Sequence, residues 1–216
     1  MREIDLMIFD FDGTLVDSGN DLAEAVNHSL RMLNLPVCEE EEILHFIGDG
    51  VAKLIERSLG EGNMHRFAEA LQIFMDYYDA HLLDTTRLYP GVPEVLEYYG
   101  NTRKVILTNK RSRFTERIAR ALDITRFFDG IFCPDTCPCT KPDPRCVGWL
   151  LGTLKTPCEY GKIVIIGDGV NDVLLAQNSG IVSCALFCGY TERETLMALA
   201  PDYCCDKIDE VERFFI

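Results

Sequence analysis

Short apolar runs recur along the chain at positions 4–9, 104–108, 130–133, 162–167 and 183–187, with helical segments between most of them. Such alternation predicts parallel strands joined by helical crossovers, an α/β sheet covered by helices. The stretch 18–84 breaks the pattern, because it holds no strand-like run and reads as several helices in succession. Within it Phe67, Leu71, Phe74, Tyr78 and Leu82 recur at helical spacing and predict a buried stripe. Ser18 with Asp21 is expected to form a capping box opening the first helix, and the acidic run 39–42 suits the first turn of another. Cys204 and Cys205 fall on an expected short terminal strand. The predicted organisation is a core of residues 1–17 and 85–216 with an inserted helical unit, 18–84. Two connections, Val16-Asp17-Ser18 and 84–93, would serve as its hinge.

The polar residues that end the apolar runs carry the candidate chemistry. Asp10 and Asp12 follow the first run in Phe9-Asp10-Phe11-Asp12-Gly13-Thr14. Residues i and i+2 of an extended chain share a face, so both acids lean toward one pocket while Gly13 lets the backbone turn away. One carboxylate can attack a phosphoryl group while the other moves a proton, provided a divalent cation neutralises the crowded charge. Thr108-Asn109-Lys110 ends the second run, Lys141-Pro142-Asp143-Pro144 follows the third after a loop, and Gly167-Asp168-Gly169-Val170-Asn171-Asp172 ends the fourth. In an open α/β sheet, ligands bind at these strand ends. Each motif alone has a plainer reading: a turn at Asp-x-Asp, Ser112 capping a helix, a solvated lysine, Asp172 as an N-terminal cap. Their joint order outweighs those readings.

With these motifs in this order, together with Phe46-Ile47-Gly48-Asp49-Gly50-Val51 and Tyr89-Pro90-Gly91-Val92, the chain resembles the haloacid dehalogenase superfamily over nearly its whole length, and within it the phosphoglycolate phosphatase branch. The resemblance implies a Rossmann-like parallel sheet with an α-helical cap inserted after the first motif. It implies that Asp10 attacks phosphorus to form an aspartyl phosphate, and that Asp12 protonates the leaving oxygen and then activates water, with Gly13 and Thr14 supporting the turn. Thr108 and Asn109 would bind phosphoryl oxygens through a hydroxyl and a backbone N–H, with Lys110 beside them. Lys141 would stabilise charge on the transferring group. Asp168, with the Asp10 carboxylate and the Asp12 carbonyl, would hold Mg2+. Asp172 would ligate indirectly, orient Lys141 or cap its helix. Gly48, Asp49 and Gly50 in the cap would contribute specificity. The chain carries Gly169 where close phosphatase relatives often have Ser or Thr, which leaves any part for Asn171 in the metal shell open.

Charge narrows the partners. A formal net charge of −14 over 216 residues disfavours nucleic acid and anionic membranes. It also repels anionic substrates, so a phosphatase of this charge must attract them locally, through the cation and through Lys110, Lys141 and candidates such as Lys53 or Arg57. No apolar run reaches membrane-spanning length and the first residues lack a targeting pattern, which gives the expectation of a soluble, cytoplasmic protein, monomer or homodimer. The chain has ten cysteines, and Cys133, Cys137, Cys139 and Cys146 crowd around the lysine motif. Metal binding is one reading of this cluster, but the spacing lacks paired C-x-x-C units and a neighbouring histidine, so reduced apolar thiols are the stronger expectation. His28, His45, His65 and His81 lack metal-binding spacing. The leading expectation is a Mg2+-dependent phosphatase of a small phosphorylated metabolite, 2-phosphoglycolate first. Pyrophosphate, nucleotide and sugar-phosphate hydrolysis, a phosphomutase, and a regulatory protein on the same fold are the alternatives.

Overall fold

The computed structural model describes residues 1–155 and 158–216. Six parallel strands form one sheet: β1 (Leu6–Phe9), β4 (Arg103–Leu107), β5 (Gly130–Phe132), β6 (Ile163–Gly167), β7 (Val182–Leu186) and β8 (Tyr203–Cys205), in the order β5-β4-β1-β6-β7-β8. Strands covered on both faces need apolar side chains at every position, because successive residues point to opposite sides. That is why β1 reads as an unbroken run: Met7 and Phe9 pack in one cluster while Leu6 and Ile8 pack in the other. Val164 and Ile166 against Ile163 and Ile165 repeat the division on β6.

Helices α5 (Val92–Tyr98) and α6 (Ser112–Ala121) contribute Val92, Val95, Leu96, Phe114 and Ile118 to the first cluster. Helices α7 (Arg145–Leu154) and α8 (Val170–Ser179) contribute Cys146, Val147, Leu150, Leu175 and Ala176 to the second. A short α9 (Arg193–Ala198) covers the outer strands. From β1 the chain moves outward through β4 and β5, then returns to β6 on the other side of β1. The sheet therefore reverses direction around β1, and the crevice at a parallel sheet's reversal point opens at Asp10.

Between β1 and β4 lie α1 (Gly19–Met32), α2 (Glu40–Leu44), α3 (Val51–Leu59) and α4 (Phe67–His81). In the expected α4 stripe Phe74, Tyr78 and Leu82 are fully buried, while Phe67 and Leu71 are partly so. The connections to the sheet pair with each other as a two-stranded antiparallel ribbon, β2 (Val16–Asp17) with β3 (Arg87–Leu88), and Arg87 reaches Asp17 at 2.6 Å.

The expected capping box does not form. Ser18 stands at the N-terminus of α1 without a side-chain cap, because its hydroxyl donates to Asp12 Oδ1 at 2.5 Å. Asp21 instead accepts from the backbone N–H and the hydroxyl of both Thr85 and Thr86, at 2.6–3.1 Å. One buried carboxylate thus ties the start of the helical unit to its end. Hydrogen bonds to a charged acceptor are worth about 1.5–3 kcal/mol each, and their removal strands several donors. Asp21→Ala is expected to lower the unfolding free energy by about 3 kcal/mol, read from the urea midpoint. A midpoint unchanged from that of the parent would show that this clamp contributes nothing.

Candidate active site

Asp10 sits one residue beyond β1 with its N–H held by the Ile166 carbonyl at 3.0 Å. Its Oδ1 accepts from the Phe11 N–H at 2.7 Å and from Lys141 Nζ at 2.7 Å. Oδ2 accepts no hydrogen bond among the described residues and remains available for chemistry. Gly13 turns the chain at φ 82°, and a Cβ there would lie 2.2 Å from Asp168 Oδ2, so both the left-handed backbone and the close approach require glycine. Thr14 donates to Asp168 Oδ1 at 2.7 Å and accepts from the Asp168 N–H at 3.1 Å. The first and last motifs are locked together by this exchange.

Asp168 also accepts from the Tyr190 N–H at 2.9 Å, and a Cβ on Gly189 would strike its carboxylate at 2.2 Å. The Gly189-Tyr190 turn after β7 was not among the sequence candidates. Its only signal in the chain is a glycine just past a strand. At the start of α8, Asp172 Oδ1 accepts from Lys141 at 2.6 Å and Oδ2 from the Gly169 N–H at 2.9 Å, contacts that suit orienting the lysine and capping the helix.

Lys141 is buried and its ammonium bridges Asp10 and Asp172. Burial alone would lower its pKa, but the two carboxylates outweigh burial and hold it above the ordinary lysine value. Oxygens of Asp10, Asp168 and Asp172 lie within 4.8 Å of one another, so three carboxylates face a single ammonium. Burial first, and then the Asp10 charge, push Asp168 up to about 7 and Asp172 up to about 8, the latter against the pull of Lys141. An all-oxygen cluster carrying uncompensated negative charge fits a hard divalent cation.

Thr108, buried at the end of β4, accepts the Lys110 N–H on Oγ1 at 3.2 Å, which leaves its own O–H free to donate. The Asn109 side chain donates to the carbonyls of Gly48 at 2.9 Å and Lys141 at 3.1 Å, and accepts the Lys141 N–H at 3.1 Å. It thereby joins the cap loop to the lysine loop. Asn171, whose part was open, donates to the Gly48 carbonyl at 3.2 Å and to Asp49 Oδ1 at 2.7 Å. Asp49 also pairs with Arg57; burial works against its charge, but Asn171 and Arg57 prevail and lower its pKa. Gly50 begins α3 at φ 85°. The cap loop 48–50 is thus docked on the sheet side by two asparagines.

Lys110 is not a free anion trap. Its ammonium, almost fully enclosed, contacts Asp12 Oδ1 at 2.9 Å and Oδ2 at 3.1 Å and donates to the Tyr78 hydroxyl at 2.7 Å. Tyr78, expected only as a member of the α4 stripe, therefore reaches Asp12 through Lys110. A phenol at a buried stripe position was the available signal, since its hydroxyl needs a partner. Lys53 pairs with Glu56 on the surface.

Two openings meet at Asp10. One is a narrow cleft between the sheet and the helical unit, walled by Leu22, Ile47, Val51, Leu54 and Phe74 and reaching Thr108 and Arg111. The other is polar, bordered by His45, Asp49, Arg57, Asn171 and Glu192.

A family model described as haloacid dehalogenase-like hydrolase matches residues 7–186. A phosphoglycolate phosphatase of Vibrio parahaemolyticus is 32% identical over 219 residues, 97% of this chain and 95% of that protein. Another from Colwellia psychrerythraea is 34% identical, covering 98% and 96%. Among solved structures, a predicted phosphoglycolate phosphatase from Haemophilus somnus superposes with a TM-score of 0.89 at 28% identity, 97% of each chain being covered. A haloacid dehalogenase-like hydrolase of Streptococcus pneumoniae gives 0.87 at 29%, with 98% of each.

The acid cluster makes the metal-free protein sensitive to pH. Unfolded, Asp168 and Asp172 ionise at about 4; folded, they do so near 7 and 8. Between those limits the folded chain binds more protons than the unfolded one, so stability falls as pH rises through the interval. Melting in chelator is expected to show Tm decreasing from about pH 5 to about pH 8, with added Mg2+ cancelling most of the decrease. A Tm in chelator that is flat or rising across this range would refute the electrostatic reading.

Proposed function

The chain belongs to the haloacid dehalogenase-like hydrolases, and we propose that it is a Mg2+-dependent phosphatase acting on 2-phosphoglycolate through an aspartyl-phosphate intermediate. The observation that carries the chemistry is the free Oδ2 of Asp10, set beside Lys141 at the mouth of two openings. The phosphatase class rests on the relatives just described.

In this reading Asp10 Oδ2 attacks phosphorus and the bond to the leaving oxygen breaks. Lys141 keeps the Asp10 carboxylate oriented and adds positive charge as the phosphoryl oxygens accumulate negative charge. The free hydroxyl of Thr108 and the N–H of Asn109 donate to those oxygens. Asp12 gives its proton to the leaving alkoxide and afterwards takes one from the water that opens the acyl phosphate, releasing inorganic phosphate. Ser18, Lys110 and, through it, Tyr78 fix the orientation of the Asp12 carboxylate. Asp10, Asp168 and the Asp12 carbonyl would hold a divalent cation, which would supply charge neutralisation between the carboxylates and the substrate. The helical unit 18–84 serves as the cap, hinged on the β2–β3 ribbon. Closure by the Gly48 loop excludes water. The relatives' substrate requires a cation for its carboxylate, and Arg111, which lines the apolar cleft and makes no side-chain hydrogen bond among the described residues, is available for it.

The apolar wall of Leu22, Ile47, Val51, Leu54 and Phe74 favours a second reading, in which the leaving group is the larger and less charged nucleoside of a nucleoside monophosphate.

Phosphate release with Mg2+ is to be measured across 2-phosphoglycolate, pyrophosphate, nucleoside monophosphates and sugar phosphates. Asp10→Asn is expected to abolish turnover on all of them without lowering Tm; activity retained in that variant would remove Asp10 as nucleophile. Arg111→Met is expected to raise KM for phosphoglycolate roughly tenfold, about 1.4 kcal/mol, while leaving nucleotide hydrolysis unchanged. A parent enzyme that prefers nucleotides, with phosphoglycolate indifferent to Arg111, selects the second reading.

A further inference from the structure

Three of the cysteines form a cluster that the phosphatase chemistry does not use. Cys137 and Cys146 are buried and Cys139 is half-buried, and the three sulfurs lie within 4.8 Å of one another. Cys137 Sγ and Cys139 Sγ are 3.7 Å apart. Cys133, the fourth member of the sequence group, is excluded: its thiol turns to Thr115. Sequence spacing had pointed to unrelated reduced thiols. The fold overrides that spacing by setting the first turn of α7, with Cys146, against the Cys137-Pro138-Cys139 turn.

The distances suit metal ligation. A zinc–thiolate bond of about 2.3 Å places sulfurs of one coordination sphere about 3.8 Å apart in tetrahedral geometry and about 4.0 Å in trigonal geometry. One pair already meets that spacing, and the rest need a contraction of about 1 Å at most. No histidine or carboxylate joins the group among the described residues, so the donor set is all sulfur. Sulfur donors select soft cations, whereas the oxygen cluster of Asp10, Asp168 and Asp172 selects hard ones.

We propose that Cys137, Cys139 and Cys146 form a binding site for one thiophilic d10 cation of the zinc(II) and cadmium(II) class, with a solvent oxygen as fourth ligand at the half-buried Cys139 edge. On binding, three S–H bonds lose their protons to solvent and three sulfur–metal bonds form, with no change of oxidation state. Burial raises the Cys137 and Cys146 thiols above their ordinary values, so loading releases protons from these two. Lys141 lies between Cys139 and Cys146 in the chain. The cation therefore clips the base of the loop that presents the Lys141 ammonium to Asp10.

The test is titration of the reduced, Mg2+-saturated full chain with Cd2+ under anaerobic conditions, following the ultraviolet thiolate-to-cadmium charge-transfer band, with Zn2+ as competitor. Excess Mg2+ occupies the oxygen cluster, and the band reports sulfur alone, so the result is independent of the phosphatase assignment. The expected result is one Cd2+ per chain, displaced only by a large excess of Zn2+, with a rise in Tm. Cys139→Ser, at a half-buried position, and Cys146→Ala are each expected to abolish both signals. Cys204→Ser, on β8, should keep them. Circular dichroism of each variant separates loss of a ligand from loss of fold. No band in the parent would overturn the proposal. So would a band retained in folded Cys139→Ser and Cys146→Ala, which would move the metal to other thiols such as the Cys184 and Cys205 pair, whose sulfurs are 3.8 Å apart.

Discussion

The structure depends on one buried ammonium. Lys141 lies between Asp10 and Asp172, with Asp168 completing the acid cluster. Without the lysine, three carboxylates would face one another in a low-dielectric site with no cationic side chain between them. With it, Asp10 is oriented and one cluster of negative charge remains for a divalent cation. Each participant arrives on a different segment: Asp10 after β1, Lys141 on the loop after β5, Asp168 and Asp172 at β6 and α8. Only a parallel sheet that reverses at β1 brings those ends together.

The helical unit is joined to this centre by polar contacts as much as by packing. Asn109 and Asn171 hold the Gly48 loop from the sheet side, Tyr78 reaches Lys110 from α4, and Asp21 gathers the donors of Thr85 and Thr86 at the hinge. Neutral amide and hydroxyl partners form and break at less cost than buried ion pairs. The same economy applies to charge. A chain of net −14 cannot draw anions from a distance, so its few cations near the site are confined to short-range tasks. Lys141 and Lys110 are committed to carboxylates, and Arg111 remains at the cleft wall.

Periodicity alone delivered much of the architecture. Largely apolar runs made β1, β4, β6 and β7, because a strand buried on both faces has few polar positions to show; Lys104 and Ser183 are the buried exceptions on β4 and β7. The motifs at the strand ends were legible for a similar reason: carboxylates, a lysine and small residues directly after apolar runs have no packing reason to be there. The errors have causes of equal clarity. Ser18 and Asp21 satisfied the local rule for a capping box, but Ser18 turned back to Asp12 in the preceding motif and Asp21 to the Thr85-Thr86 pair at the far end of the helical unit. Lys110, expected beside a phosphoryl group, is held instead by Asp12 and by Tyr78 on α4.

What the sequence by itself determined is therefore the inventory: strand-ending acids and a lysine in a fixed order, a sheet with a helical insertion, and a net negative charge that disfavours polyanionic partners. Tertiary structure decided the pairings. Which carboxylate Lys141 bridges, that Asn171 docks the Gly48 loop, and that Gly189 and Tyr190 shape the Asp168 shell all depend on contacts between residues far apart in the chain, while the convergence of Cys137, Cys139 and Cys146 depends on how α7 packs against the turn before it. The physical reason is range. Hydrophobic periodicity and turn chemistry act over a few residues and leave their mark locally, whereas hydrogen bonds, ion pairs and sulfur clusters depend on directions and distances set only when the sheet and its cap have packed.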